Sequence, residues 1–216
     1  MPAMGSYQPA AETTQIIETL KRSAAALRDA DVPFALAGSV ACWARGGPAP
    51  YNDVDFAVRE QDGQRGLQAL ADAGMRPERP PEGWLLKAWD GDVLVDLIWD
   101  FSGLPGVDGL LARADELSVQ AQPLPVMALD DVMVSKLCAM DEHALDFAGP
   151  LAVARALREQ IDWPAVRART AHWPYAHGFF AVLEALEILA PAESGATGPD
   201  EPARGAAPRV RVVGEG

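Results

Sequence analysis

Asp53 and Asp55 stand two apart in residues 53–58, and Asp96 is the lone charge inside residues 93–99. The first run alternates polar and apolar in the period of a strand, so Val54, Phe56 and Val58 point one way and Asp53, Asp55 and Ala57 the other. Side chains two apart on a strand share one face with Cβ atoms roughly 6–7 Å apart. Asp53 and Asp55 could therefore share divalent ions held about 3.5–4 Å apart. Oxygen-only ligands suit Mg²⁺ or Mn²⁺. An ionised carboxylate in surroundings as apolar as those of Asp96 is costly unless a metal or hydrogen bonds compensate it, which makes Asp96 a third candidate ligand. Phosphoryl transfer is the chemistry such a cluster serves, because it needs positioning and cancellation of negative charge more than covalent help. Asp92 and Asp100 are the substitutes for Asp96.

Gly38 and Ser39 close a short apolar run at the start of a predicted helix. There the unpaired backbone N–H groups and the positive helix end favour phosphate oxygens, and the Ser39 hydroxyl adds a donor. The competing role for the pair is a plain turn and helix cap. Lysine is limited to Lys21, Lys87 and Lys136. Lys136 follows Asp131 on a predicted helix, where it is either a phosphate ligand or an ordinary exposed lysine. Lys87 falls diagonal to Asp96 on a predicted hairpin and is expected to pair with it. His172 and His177 lack helical ligand spacing and a third partner, so they are expected at helix boundaries rather than on zinc. Trp84, Trp89, Trp99, Trp163 and Trp173 are expected as packing anchors, and Asp141, Glu142 and Asp146 as an acidic helix start.

The ordered combination resembles the signature of the nucleotidyltransferase superfamily: strand, Gly38-Ser39, helix, thirteen intervening residues, Asp53-Val54-Asp55 on the next strand, and Asp96 on a later one. The resemblance covers residues 33–99 well and the helical half loosely. It implies a polymerase-beta-type fold that transfers a nucleoside monophosphate from a nucleoside triphosphate to an acceptor hydroxyl. Asp53, Asp55 and Asp96 would then bind metal, with Asp96 also placed to act as general base. Gly38 and Ser39 would hold the phosphates. Lys136 resembles the basic residue that the abortive-infection toxin type sets against the triphosphate tail. RNA or a toxin-type protein target is the favoured acceptor, with aminoglycoside-type small molecules next. A relative that binds a nucleotide or a partner chain without turnover is the alternative outside enzymes.

The elements that must position these residues follow from periodicity and turn chemistry. An amphipathic helix is expected over residues 11–30, with Ile16, Leu20, Ala24 and Leu27 inward, ended by Asp31 and Pro33. A buried strand over 33–38 and a short helix from Ser39 to Gly46-Gly47 follow. The strand at 53–58, a helix over 61–73 and a Pro-rich loop over 76–81 come next. Residues 84–89 and 92–99 flank Asp90-Gly91, a hairpin signal. A two-residue turn there pairs Trp89 with Asp92 and Leu85 with Asp96. Trp84, Leu86, Val93, Val95, Leu97 and Trp99 then share one apolar face, and Lys87 and Asp96 share the other. After a short strand over 117–121, helices are expected over 129–140, 143–160, 163–170 and 177–189, the second split by Pro150.

The expected fold class is therefore α+β: a small mixed sheet core over residues 1–125, a helical C-terminal region over 126–190, and a flexible tail over 191–216 in which residues 209–213 could add an edge strand. At 49% apolar and 23% charged, the chain can bury a normal core. A formal charge of −13 excludes extended duplex DNA as a partner, although Arg155, Arg158, Arg167 and Arg169 could line a local basic groove. Cys42 and Cys138 fit buried thiols in a reducing compartment. With no leader pattern and no membrane-spanning run, a cytoplasmic protein is expected.

Overall fold

The computed structural model describes residues 9–50 and 53–191. Apart from Pro191, the expected tail and its strand at 209–213 lie outside the described residues. Helix α1 (Pro9–Asp29) buries Ile16, Leu20, Ala24 and Leu27, as its stripe requires. It stops where Asp31 turns left-handed, at φ 52°, and Val32 N donates back to Leu27 O at 2.9 Å. Strand β1 (Phe34–Leu36) then leads into α2 (Gly38–Trp43), and β2 (Asp53–Val58) into α3 (Glu60–Asp72).

Next come edge strand β3 (Arg76–Glu78) and the hairpin of β4 (Leu85–Asp90) and β5 (Val93–Ile98). Helix α4 (Val107–Ala112) and a second hairpin, β6 (Asp115–Val119) with β7 (Gln122–Val126), complete the sheet. Its order is β3-β4-β5-β2-β1-β7-β6. Strand β2 runs parallel to β5 and antiparallel to β1, and β1 runs parallel to β7. The sheet is mixed, as expected. Helices α1 and α3 cover the face that carries Val54, Phe56, Val95 and Leu97, all fully buried. The approach of α3 is close: a Cβ on Gly66 would stand 3.1 Å from both Leu27 and Leu97.

The first hairpin departs from expectation in register. Asp90 pairs with Val93 and Lys87 with Asp96, so the turn is Gly91-Asp92 rather than Asp90-Gly91. Gly91, at φ 63°, takes the first central position, which a type II′ turn reserves for glycine. Asp90 stays in the strand because α1 grips its carboxylate: Thr19 Oγ1 donates at 2.8 Å and Arg22 Nη1 at 2.7 Å. Each partner moves by two residues, so the division of faces survives. Trp84 is the exception, lying outside β4 and 44% exposed.

Strand β3 occupies the segment expected as a loop. Pro77 is tolerated because β3 is an edge. Strand β7 was hidden by Pro123 and Pro125 and by its turn, Gln120-Ala121, which adopts φ of 52° and 62° without glycine or asparagine.

Helices α5 (Leu129–Cys138), α6 (Ala148–Leu157), α7 (Trp163–Arg169) and α8 (Pro174–Ala185) form the helical region. Helix α6 starts five residues later than expected, with Pro150 in its first turn and therefore not splitting it. Asp141 and Asp146 accept from the backbone N–H groups of His143, Ala144 and Ala148, which accounts for two of the three acidic residues before α6. Among the described residues no helix is long and apolar enough to cross a membrane.

One ion cluster joins the helical region to the end of α4. Asp131 of α5 is 1% exposed and accepts from Arg113, at the end of α4, at 2.8 Å and from Arg169 of α7. A buried carboxylate without its cations is strongly unfavourable. The double substitution Arg113→Ala with Arg169→Ala should cost about 3 kcal/mol or more in urea unfolding, and Asp131→Asn clearly less, because no charge is then left buried.

Candidate active site

The parallel register of β2 and β5 sets Asp55 beside Asp96, with Asp53 one pleat earlier on the same face beside Leu94. Strand β4 places Lys87 opposite Asp96, and β3 places Glu78 opposite Lys87. A row of charges, Glu78, Lys87, Asp96 and Asp55, thus crosses four neighbouring strands. The face comes from the period of each strand, and the adjacency comes from the sheet order.

On the other side of β2, Ala37 N donates to Asp55 O at 2.9 Å and brings the β1–α2 turn over the aspartates. Gly38 has φ 55°, and a Cβ there would stand 1.7 Å from Asp55 Oδ2. Only glycine fits both that backbone conformation and that space. Ser39 does not cap α2; its Oγ donates to Asp53 Oδ1 at 3.5 Å. Lys136 of α5 borders two cavities. One, of about 210 Å³, is lined by Gly38, Asp55, Trp84, Ile98, Phe101 and Lys136 among others. The second, of about 340 Å³, is lined by Ser39, Cys42, Asp53, Lys136, Gly149 and Val153 among others. A larger hollow of about 740 Å³, between Arg28, Arg59 and Asp108, lies at the opposite ends of β1 and β2 and contains none of these residues.

Burial dominates the electrostatics. It pushes the Asp55 carboxyl up to about 7, helped by the charges of Asp53 and Asp96 and opposed by Lys136 and Lys87. Burial also raises Asp53, against Lys136, the Ser39 bond and Lys87, and raises Asp96, against its Lys87 partner. Three carboxyl groups therefore share a patch with too little positive charge, and their oxygens are of the kind Mg²⁺ or Mn²⁺ prefers. Asp53 and Asp55 suit such an ion. Asp96 is paired with Lys87, whose Nζ lies 3.2 and 3.4 Å from its two oxygens. As placed, no three His, Cys, Asp or Glu side chains among the described residues gather closely enough to hold a metal.

The remaining candidates sort by their contacts. Asp92 is exposed in the hairpin turn, whereas Asp100 borders the cavity beside Asp55. The ring of His177 meets Ala171 O at 2.7 Å, as expected of a boundary histidine. Cys42 and Cys138 are free and buried. Arg167 pairs with Glu184 at 2.6 Å, Arg169 with Asp131 and Arg158 with Glu159, so three of the four arginines are engaged by carboxylates. Sequence reasoning missed Glu78, Trp84 and Phe101 as site neighbours. Glu78 sat in a segment without strand alternation, and the two aromatics carried no signal that separates a cavity wall from core.

The raised carboxyl of Asp55 has a consequence for stability. The folded state holds this proton up to about pH 7, whereas an unperturbed aspartate releases it near 3.8, so between these values folding takes up a proton and stability falls as pH rises. Without divalent metal, Asp55→Asn should melt several degrees higher than the parent at pH 8, and the gap should close towards pH 4 in thermal scans.

Neither the protein-family models nor the curated proteins give a match to the sequence. Solved structures do match. The solution structure of the antibiotic-resistance factor ANT(2″)-Ia is 16% identical over 82% of this chain and 98% of its own, with a TM-score of 0.57. The crystal structure of ANT(2″)-Ia with adenylyl-2″-tobramycin is 16% identical over 80% and 91%, with a TM-score of 0.45. The lincomycin-bound lincosamide antibiotic adenylyltransferase LnuA is 13% identical over 63% and 92%, with a TM-score of 0.47. The first of these carries the comparison, and it shows that this chain shares the fold of that antibiotic-resistance factor.

Proposed function

We propose that the protein transfers a nucleoside monophosphate from a nucleoside triphosphate to an acceptor hydroxyl. The observation that carries this reading is the crowding of Asp53 and Asp55 under the Gly38 turn, with Lys136 bordering the cavities on either side. Asp53 and Asp55 would hold Mg²⁺ or Mn²⁺, with Asp96 as a further ligand when it leaves Lys87. The ion would supply charge neutralisation at the phosphates. The core over residues 1–125 would carry these aspartates, and the helical region over 126–190 would contribute Lys136.

The chain's own groups have distinct tasks. The Gly38-Ser39 turn orients the triphosphate through backbone N–H groups and the Ser39 hydroxyl, and Lys136 balances the charge of the tail. Asp96 accepts the proton of the acceptor hydroxyl as that oxygen bonds to the α-phosphorus. The bond from the α-phosphorus to the bridging oxygen breaks, and pyrophosphate leaves with the electron pair.

The acceptor we favour is a small molecule. The arginines that would guide an RNA end are largely paired with carboxylates, and the cavity beside Asp55, at about 210 Å³, has mostly apolar walls. ANT(2″)-Ia, whose fold the chain shares, is an antibiotic-resistance factor. Two free, buried cysteines fit a reducing, cytoplasmic setting.

Labelled triphosphates offered with aminoglycosides, other hydroxyl-bearing small molecules, total RNA and protein lysate should label a small-molecule fraction. Asp55→Ala should lower transfer by about a thousandfold with an unchanged circular dichroism spectrum; full activity in that variant would refute the assignment. Lys136→Ala should raise KM for the triphosphate about tenfold, and an unchanged KM would remove Lys136 from the site.

A further inference from the structure

We infer that Lys87 is a positioning residue, a latch that holds Asp96 away from the Asp53–Asp55 pair, and that Glu78 is the alternative partner that receives Lys87 when Asp96 turns to a cation. This rests on the divalent-cation reading of the aspartate pair. Its basis is the order of charges across the sheet: Glu78 on β3, Lys87 on β4, Asp96 on β5 and Asp55 on β2, each directly opposite the next.

The Lys87–Asp96 pair is loose. Its distances of 3.2 and 3.4 Å exceed the roughly 2.7–2.9 Å of a strong charge-assisted bond, and the ammonium is spread over both oxygens. The two side chains are 22% and 13% exposed, so little water competes and the partner of each decides its direction. On the far side of Lys87, Trp89 Nε1 donates to Glu78 Oε2 at 2.7 Å and pins that carboxylate beside β4. Directly opposed side chains have Cβ atoms only about 4.5–5.5 Å apart, well within the reach of a lysine. A lysine between two carboxylates can pass from one to the other without leaving the sheet face. The latch also accounts for the failure of the third aspartate to join a three-carboxylate cluster among the described residues.

The test is direct binding of Mn²⁺ to the full chain, read from the electron paramagnetic resonance signal of the free ion at fixed pH and salt, without nucleotide. Lys87→Gln should tighten binding about fivefold or more, and Glu78→Gln, which keeps an acceptor for Trp89, should weaken it about threefold. In the Lys87→Gln background, Glu78→Gln should change nothing, because its effect runs through the lysine. Lys87→Arg keeps the charge but grips a carboxylate with a fork, so it should weaken binding, and it supplies an independent arm if Lys87→Gln folds poorly. Equal effects of Glu78→Gln in both backgrounds, or binding unchanged in Lys87→Arg, would show simple charge addition and overturn the latch alone. A parent protein that binds no Mn²⁺ would overturn the divalent-cation reading together with the latch.

Discussion

Negative charge gathered out of water is the constraint on which the site depends. Asp55 is enclosed beneath the Gly38 turn, with Asp53 on its own strand and Asp96 on the next. Burial is the largest of the causes that push the Asp55 carboxyl up to about 7, and each neighbouring aspartate pushes it further. The opposing charges come from two unrelated elements, Lys136 on a helix and Lys87 on a strand. An enclosure with this imbalance is a poor structural core and a suitable seat for a cation.

The rest of the fold makes that enclosure rigid. Parallel pairing of β2 with β5 aligns Asp55 and Asp96, while α1 and α3 seal the opposite face with Phe56, Val95 and Leu97. Helix α5 carries both Lys136 and Asp131. The two arginines on Asp131 anchor that helix to the end of α4 and to α7, and so fix the element from which Lys136 extends over the cavities. A buried ion cluster that contributes little net stability can still specify geometry of this kind.

Most helices and the central strands were legible because their period is local. The stripe of Ile16, Leu20, Ala24 and Leu27 marks α1, and the alternation from Asp53 to Val58 marks β2 with its bounds unchanged. The hairpin's division of faces held through an error of turn placement, since a shift of two residues preserves the period of two. Elements whose stability is not local escaped. Strand β7 contains two prolines and is secured by β1 and β6, and β3 survives as an edge against β4. The three-residue β3 is too short to show a period, and the 107–112 helix is scarcely longer.

Residue order alone determined which side chains share a face and that Asp53 and Asp55 form a pair, because these follow from backbone geometry over a few residues. Only the tertiary structure decided that β5 lies next to β2, which puts Asp96 beside Asp55, that Lys87 stands directly opposite Asp96 with Glu78 beyond it, and that Lys136 reaches both cavities. The physical reason is that strand neighbours and helix docking are chosen by burial and pairing between segments far apart in the chain, and a local period contains no record of the partner it will meet.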